Sequence, residues 1–381
     1  MKLNYFNFKN FKEQMLLTND FGRYLFVSKE NFQDILSLKI EKKSDIYRNL
    51  IDAKMIYDES DLEYSSMNKY LLREIKGHVN MATSLHIFVV TTRCNMGCVY
   101  CQANNGSEMP HLVMDKEMAE KAVDIALQSP EQSLCFEFQG GEPLINFDII
   151  KHIVEYTELH KLEHIISYTV VTNLTLLNDE ILDFLACHNF GISTSIDGNE
   201  LVHNNNRPYI DGRGTYEKVV ESVGRIRASG LHVGAIETTT RYSLDYSKEI
   251  VNAYVDMGFD SIFIRPLTPL GKAAKYWNEI GYTTEEFIEF YGRSLDELLV
   301  INKNGRFIKE DHATILLRRI RGDFMNYMEL RSPCGAGVGQ LAYYADGNIF
   351  TCDEGRMLHE MGQSTFKLGN VYKSTYRDLI N

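Results

Sequence analysis

An α/β fold built on a partial (β/α)6 TIM-like barrel is the architecture this sequence predicts from residue 84 onwards, and three observations predict it. The first is a repeated order of short apolar run, loop and amphipathic helix, which implies parallel strands joined by right-handed crossovers. The strand candidates are Leu85–Val90, Leu134–Phe138, Ser167–Val171, Gly191–Ile196, His232–Glu237 and Ser261–Ile264. Helical stretches separate them at Asp115–Gln128, Phe147–His160, Asn178–Cys187, Thr215–Ala228 and Ser243–Met257, and Thr283–Asn302 follows the sixth strand. The second observation is the count, since six such units fall short of the roughly eight that close a barrel. The third is that the residues able to do chemistry cluster just after the strands, where α/β barrels carry their sites.

Two smaller pieces flank this core, dividing the chain into residues 1–83, 84–305 and 306–381. In the first, Leu16–Val27 reads as two short strands around an Asn19-Asp-Phe-Gly22 turn. Ser28 then caps a helix carrying Phe32, Ile35 and Leu36, and Ser44 starts another through Ile56 with Ile46, Leu50, Ile51 and Met55 on one face. This small α+β domain either recognises a peptide or merely packs on the core. In the last piece a hairpin turns at Asp346-Gly347, with Cys334 before it and Cys352 after it.

Composition narrows the function classes. With 40 basic against 52 acidic residues the net charge is −12, which argues against nonspecific nucleic-acid binding. No apolar stretch approaches the roughly 20 residues that span a bilayer, and the N-terminus lacks the uninterrupted apolar core of a secretory signal. Seven cysteines, unevenly placed, do not make a disulfide scaffold, so a reducing cytoplasm is the expected address. Asn105-Gly-Ser107 and Asn173-Leu-Thr175 fit the glycosylation pattern, which has no use without secretion. Cys135 and Cys187 lie among apolar neighbours and read as buried free thiols.

The first strand runs into Thr91-Thr-Arg-Cys-Asn-Met-Gly-Cys-Val-Tyr-Cys101, which brings Cys94, Cys98 and Cys101 within eight residues. Three thiols can hold three irons of a cubane cluster and leave the fourth open, which is the arrangement a catalytic metal site requires. A zinc knuckle with His111 as fourth ligand is the competing reading. After the second strand comes Gln139-Gly-Gly-Glu-Pro143, where two glycines admit close approach to the backbone and Glu142 adds a carboxylate. The third strand is followed by Thr172-Asn-Leu-Thr-Leu-Leu177. The fourth leads through Ser193-Thr-Ser-Ile-Asp-Gly198 to His203-Asn-Asn-Asn-Arg207 and Gly212-Arg-Gly-Thr215.

The cysteine spacing, with an aromatic before the last thiol, and the strand-end motifs in this order resemble the radical S-adenosylmethionine (SAM) enzymes. The resemblance implies a [4Fe–4S] cluster on Cys94, Cys98 and Cys101 and a SAM pocket around it. Gly140, Gly141 and Glu142 would take the methionine amino group, Asn173 would contact SAM, Ser195 the ribose, and Arg207 the methionine carboxylate through a charge-assisted bond. Tyr100 lies near the adenine or packs the loop. Asp197 is the candidate catalytic residue facing substrate, or an ordinary turn residue. Leu174 stands where glycine is usual, Asn199 where proline is common and Asn204 where an acid is usual.

Cys334, twelve residues, Gly347, four residues and Cys352 resemble the opening of a SPASM/twitch domain, which in relatives holds an auxiliary iron–sulfur cluster. Only these two auxiliary ligands are present, too few for a durable cubane, so the segment reads as an incomplete module. Its Arg331-Ser-Pro-Cys and Cys352-Asp-Glu segments, with the Leu16–Gly22 preamble, resemble the His-Xaa-Ser system peptide maturases. That resemblance implies a ribosomally made peptide as substrate and an electron donor such as flavodoxin or ferredoxin. A sulfatase-type maturase shares the same motifs. A non-enzymatic iron–sulfur scaffold is the reading from another class, and Gly140-Gly-Glu142 argues against it because a scaffold needs no SAM pocket.

Overall fold

The computed structural model describes residues 1–58, 62–103, 111–323 and 332–380, so Asn105–Ser107 and Arg331 lie outside the described residues. Two compact units make up the chain, one of residues 1–80 and 314–334, the other of 81–313 and 335–381. The segment 306–381, expected as a single appendage, is thus shared between them.

In the first unit β1 (Lys2–Leu3) precedes a meander of β2 (Asn7–Phe11), β3 (Gln14–Thr18) and β4 (Tyr24–Ser28). Then follow α1 (Lys29–Leu36), α2 (Asp45–Asp52), β5 (Ile56–Tyr57), which pairs with β1, and α3 (Leu62–Ile75). Gly22 takes φ 71° in the β3–β4 turn, and the Ser28 and Ser44 side chains cap their helices by accepting from the amides of Asn31 and Tyr47. The second helix ends at Asp52 rather than Ile56, because Lys54 turns left-handed (φ 56°) and returns Met55 to the core. Leu36 lies off the buried stripe of Phe32 and Ile35 and is exposed. Sequence patterning missed β2 because all five of its residues are exposed.

The second unit begins with β6 (Leu85–Thr91), α4 (Lys116–Ala126), β7 (Ser133–Gly140), α5 (Phe147–His160), β8 (Ile165–Val171) and α6 (Asp179–Cys187). It continues with β9 (Gly191–Ser195), α7 (Glu200–Asn206), α8 (Tyr216–Ala228), β10 (Val233–Thr238), α9 (Ser247–Asp256) and β11 (Ser261–Arg265). These six strands pair in parallel in sequence order, which is the expected partial barrel. The sixth crossover comprises α10 (Gly271–Lys275), α11 (Trp277–Ile280) and α12 (Thr284–Lys303), the last started by a capping box between Thr283 and Glu286. It leads to β12 (Lys309–Glu310), a seventh parallel strand too short to be seen in the sequence, and to α13 (Asp311–Ile320). The helix expected over Ser243–Met257 is broken into a 3-10 turn at Tyr242–Asp245 and α9.

The tail hairpin is part of the same sheet. Its first strand, β13 (Gln340–Tyr343), pairs in parallel with β6, and β14 (Asn348–Phe350) pairs antiparallel with β13 around Gly347 at φ 82°. Next come α14 (Asp353–Glu360), β15 (Lys367–Asn370) on the outer edge, and α15 (Tyr376–Ile380).

Strand alternation sorts the side chains of the barrel. Leu134, Phe136 and Phe138 of β7 and Ile262 and Ile264 of β11 join the core between sheet and helices. Their alternates Cys135, Glu137, Gln139, Phe263 and Arg265 therefore face the barrel interior. Cys187 corrects an expectation: it ends α6 on the side away from buried Ile181 and Leu185, and its thiol is exposed. Cys135 is half-buried, 3.7 Å from the Thr169 hydroxyl. Among the described residues no helix is long and apolar enough to cross a membrane.

Candidate functional site

The cysteine loop leaves β6 and is held by backbone bonds from two directions. From the β9 side, Gly97 and Val99 donate to the carbonyls of Pro208 (2.8 Å) and Asn206 (2.9 Å). From the β7 side, the amides of Gly141 and Glu142 donate to the carbonyls of Thr91 and Arg93, each at 2.8 Å. This second seam gives the glycine pair a different reason from the one read in sequence. A Cβ on Gly140 would come within 2.4 Å of the Thr91 carbonyl oxygen, and one on Gly141 within 2.4 Å of that of Arg93. The missing side chains admit the cysteine loop itself. Gly141→Ala is accordingly expected to lower stability by roughly 1–3 kcal/mol, the usual cost of overpacking. It should also weaken iron retention, read as a lower denaturation midpoint and fewer irons per chain after anaerobic reconstitution.

Glu142 is fully buried at the end of this seam. Its Oε1 accepts from the Leu144 amide (3.0 Å) and the Thr172 hydroxyl (2.7 Å), and its Oε2 from the Asn173 amide (2.7 Å). A carboxylate has about four lone-pair sites, so three donors leave roughly one for a ligand N–H. Burial pushes this carboxyl up, and the bonds from Thr172, Asn173 and Leu144 oppose the shift.

Asn173 is fixed by its own neighbours. Its Oδ1 accepts from the Thr175 amide (2.9 Å) and hydroxyl (2.7 Å), while its Nδ2 donates to Asn95 Oδ1 (3.0 Å) and faces Cys94 Sγ at 3.9 Å. The strand-three motif therefore touches the cysteine loop. The glycine usual at the next position is replaced by Leu174, yet the backbone keeps φ 61° with the side chain fully buried. The loop retains its left-handed residue, which costs a non-glycine roughly 1–2 kcal/mol.

Tyr100, Asp197 and Arg207 form a buried triad. The Tyr100 hydroxyl donates to Asp197, 3.0 Å from Oδ1 and 2.9 Å from Oδ2, and accepts from Arg207 Nη1 at 2.6 Å. Burial raises the Asp197 carboxyl to about 6, with the Arg207 charge opposing it. Burial also works against the Arg207 charge, but Cys98, Tyr100 and Asp197 outweigh it and hold the guanidinium protonated. Asp197, read as facing substrate, instead has both oxygens turned to Tyr100 and no exposed surface. Arg207 Nε is buried with no partner. Ser195 ends β9 half-buried, and its hydroxyl bonds to no other described residue.

Burial raises the three thiols, Cys94 to about 12 and Cys101 to about 11, with each feeling Cys98 as a further repulsion. Buried thiols of this kind stay protonated until a metal replaces the proton. Among the described residues no three His, Cys, Asp or Glu side chains converge on a single ion, and His111 is exposed, so the zinc-knuckle reading has no geometry behind it. A cubane takes one thiolate per iron and does not ask for such convergence. The orphaned Arg207 Nε and the remaining Glu142 lone pair suit a ligand that carries a carboxylate and an ammonium. These residues fit a cluster with an amino acid bound beside it.

Cys334 is exposed and closes the first compact unit, whereas Cys352 is buried in the second, capping α14 by accepting from the Gly355 amide at 3.3 Å.

The sequence model of the radical SAM superfamily matches residues 88–244, from β6 to the turn after β10. The chain carries a radical SAM domain. An uncharacterised protein of Methanocaldococcus jannaschii is 32% identical over 186 residues, which is 49% of this chain and 63% of that protein. The match thus spans under two thirds of that relative's length. The cysteine-type anaerobic sulfatase-maturating enzyme of Clostridium novyi is 22% identical over 305 residues, covering 78% of this chain and 79% of that one. Streptococcus suis SuiB, solved with its precursor peptide SuiA, shares the fold over the whole of this chain and 88% of its own, with a TM-score of 0.56 at 16% identity. Members of the radical SAM superfamily use a [4Fe–4S] cluster and SAM.

Proposed function

We propose that this enzyme modifies a ribosomally made peptide, in the manner of the His-Xaa-Ser maturases, with Cys94, Cys98 and Cys101 holding the cluster. When bound, cluster and SAM together supply a 5′-deoxyadenosyl radical that takes hydrogen from a substrate carbon. The chain's own residues bind and orient. Arg207 Nε receives the methionine carboxylate, the open lone pair of Glu142 takes the amino group, and Ser195 meets the ribose. Tyr100 and Asp197 position Arg207. Asn173, with Asn95, holds the loop at Cys94, and Gly140 and Gly141 let that loop seat. The single observation that carries this reading is the unpaired, buried Arg207 Nε beside the cysteine loop, a cation waiting for an anion.

The peptide class draws support from relatives whose names carry protein or peptide substrates and from the likeness to SuiB across the first compact unit as well as the barrel. A sulfatase-type protein substrate is the second reading, favoured by the Clostridium novyi relative. All seven cysteines are free, in keeping with a reducing cytoplasm and a flavodoxin- or ferredoxin-like electron donor. Cys334 and Cys352 are proposed to contribute to an auxiliary site only if further ligands complete it.

The test is anaerobic reconstitution followed by SAM, dithionite and either a His-Xaa-Ser repeat peptide or a sulfatase peptide bearing Cys or Ser. About four irons per chain and 5′-deoxyadenosine formation are expected, raised by the His-Xaa-Ser peptide. A rise with the sulfatase peptide alone would favour the second reading, and iron-loaded protein making no 5′-deoxyadenosine would refute both.

A further inference from the structure

The C-terminal hairpin does more than extend the sheet. Helix α14 packs on β13, β14 and β15 and on α10, the first helix after β11. Its first residue, Asp353, is repelled by Glu137 and attracted by Arg265. Those two side chains lie on the inner faces of β7 and β11, strands separated in the sheet by β8, β9 and β10. Asp353 therefore lies within electrostatic reach of side chains on the inner faces of both strands.

Arg356 is bound to Asp353, its Nε donating to Oδ1 at 2.7 Å, and is only 2% exposed. A guanidinium has five N–H donors, and this bond uses one. Neither Nη group has an acceptor among the described residues. Glu137 does not bond to it: its oxygens accept from Gln139 Nε2 at 2.7 Å and the Thr169 hydroxyl at 3.4 Å. Arginines this deeply buried seldom leave both Nη groups without an acceptor, because donors that bond to nothing forfeit the hydrogen bonds they would make in water. The free Nη pair also presents the planar fork that matches a carboxylate. Nothing in the SAM pocket calls for this residue, as Arg207 already supplies a cation there.

We propose that Arg356 is the carboxylate anchor for the substrate, gripping an Asp or Glu side chain or a peptide C-terminus inside the barrel while Asp353 holds the guanidinium in place. The inference rests on the peptide-modifying reading above. Specificity follows from the cost of leaving the fork empty, since a neutral isostere would forfeit the charge-assisted bonds to the Nη groups.

The probe is a set of fluorescein-labelled peptides on one Gly-Ala host, bound to the SAM-loaded, cluster-reconstituted full chain and read by anisotropy under anaerobic conditions. One pair carries a central Glu or Gln with an amidated end; a second pair carries no acidic side chain and ends in a free acid or an amide. The wild type is expected to favour one or both acidic members over their neutral partners by about tenfold or more. In Arg356→Gln that ratio should fall to near unity, and Arg356→Lys should retain part of it. The pair that shows the preference identifies the source of the carboxylate. Equal binding of acidic and neutral peptides by the wild type, or a preference that survives in Arg356→Gln, overturns the anchor while leaving the peptide reading intact. Failure of every peptide to bind a chain that still makes 5′-deoxyadenosine sinks both. Should Arg356→Gln not fold, the wild-type ratio and its partial retention in Arg356→Lys decide the matter.

Discussion

Cys98→Ala is expected to yield a folded chain that holds no stable cubane cluster and forms no 5′-deoxyadenosine. A site-differentiated cubane needs one protein thiolate for each of three irons, and two thiolates leave it labile. The loop itself should survive the change, because the amides on either side, Gly97 and Val99, are held by Pro208 and Asn206 rather than by the thiol. Cys187→Ala is the matched control, since that thiol is exposed at the end of α6. Iron and sulfide content, visible absorbance and 5′-deoxyadenosine yield should all collapse in the first variant and stay at wild-type values in the second. Full iron loading in Cys98→Ala would mean that the ligand set has been misassigned.

Much of this could be read in the sequence because it is local. The six strands fall where the apolar runs placed them, and each motif sits at a strand end, since those signals depend on spacing and alternation alone. What escaped is what the sheet brings together from a distance. The parallel pairing of β13 with β6 joins residues some 250 apart in the chain, as the His86–Tyr343 contact shows with a separation of 257, and no hairpin signal betrays it. The glycines of the second motif looked like an opening for a ligand, yet their missing Cβ atoms face Thr91 and Arg93. Asp197 looked like a group aimed at substrate until its orientation was known, for a residue type does not state which neighbour it prefers. Arg356, four residues beyond Cys352, carries no motif at all. Only burial and the lack of an acceptor for its Nη groups single it out.

Arg207→Met is expected to act on two properties that a further substitution can separate. The guanidinium compensates Asp197, a fully buried carboxyl, through Tyr100. Removing one partner of such a buried set costs roughly 3–5 kcal/mol, because the other charge is left stranded. The same change removes the buried Nε assigned to the methionine carboxylate, so SAM affinity should also fall, by about tenfold or more. The two losses diverge in the double variant Arg207→Met/Asp197→Asn. With no charge left to strand, the second substitution should restore much of the thermal stability, since deleting both members of a buried pair is often close to neutral. It cannot restore a cation, so SAM affinity should remain as low as in the single variant. Thermal denaturation and equilibrium SAM binding on the reconstituted chain measure the two legs. If SAM binding returned together with stability, Arg207 would be a structural partner of Asp197 and not the residue that meets the ligand.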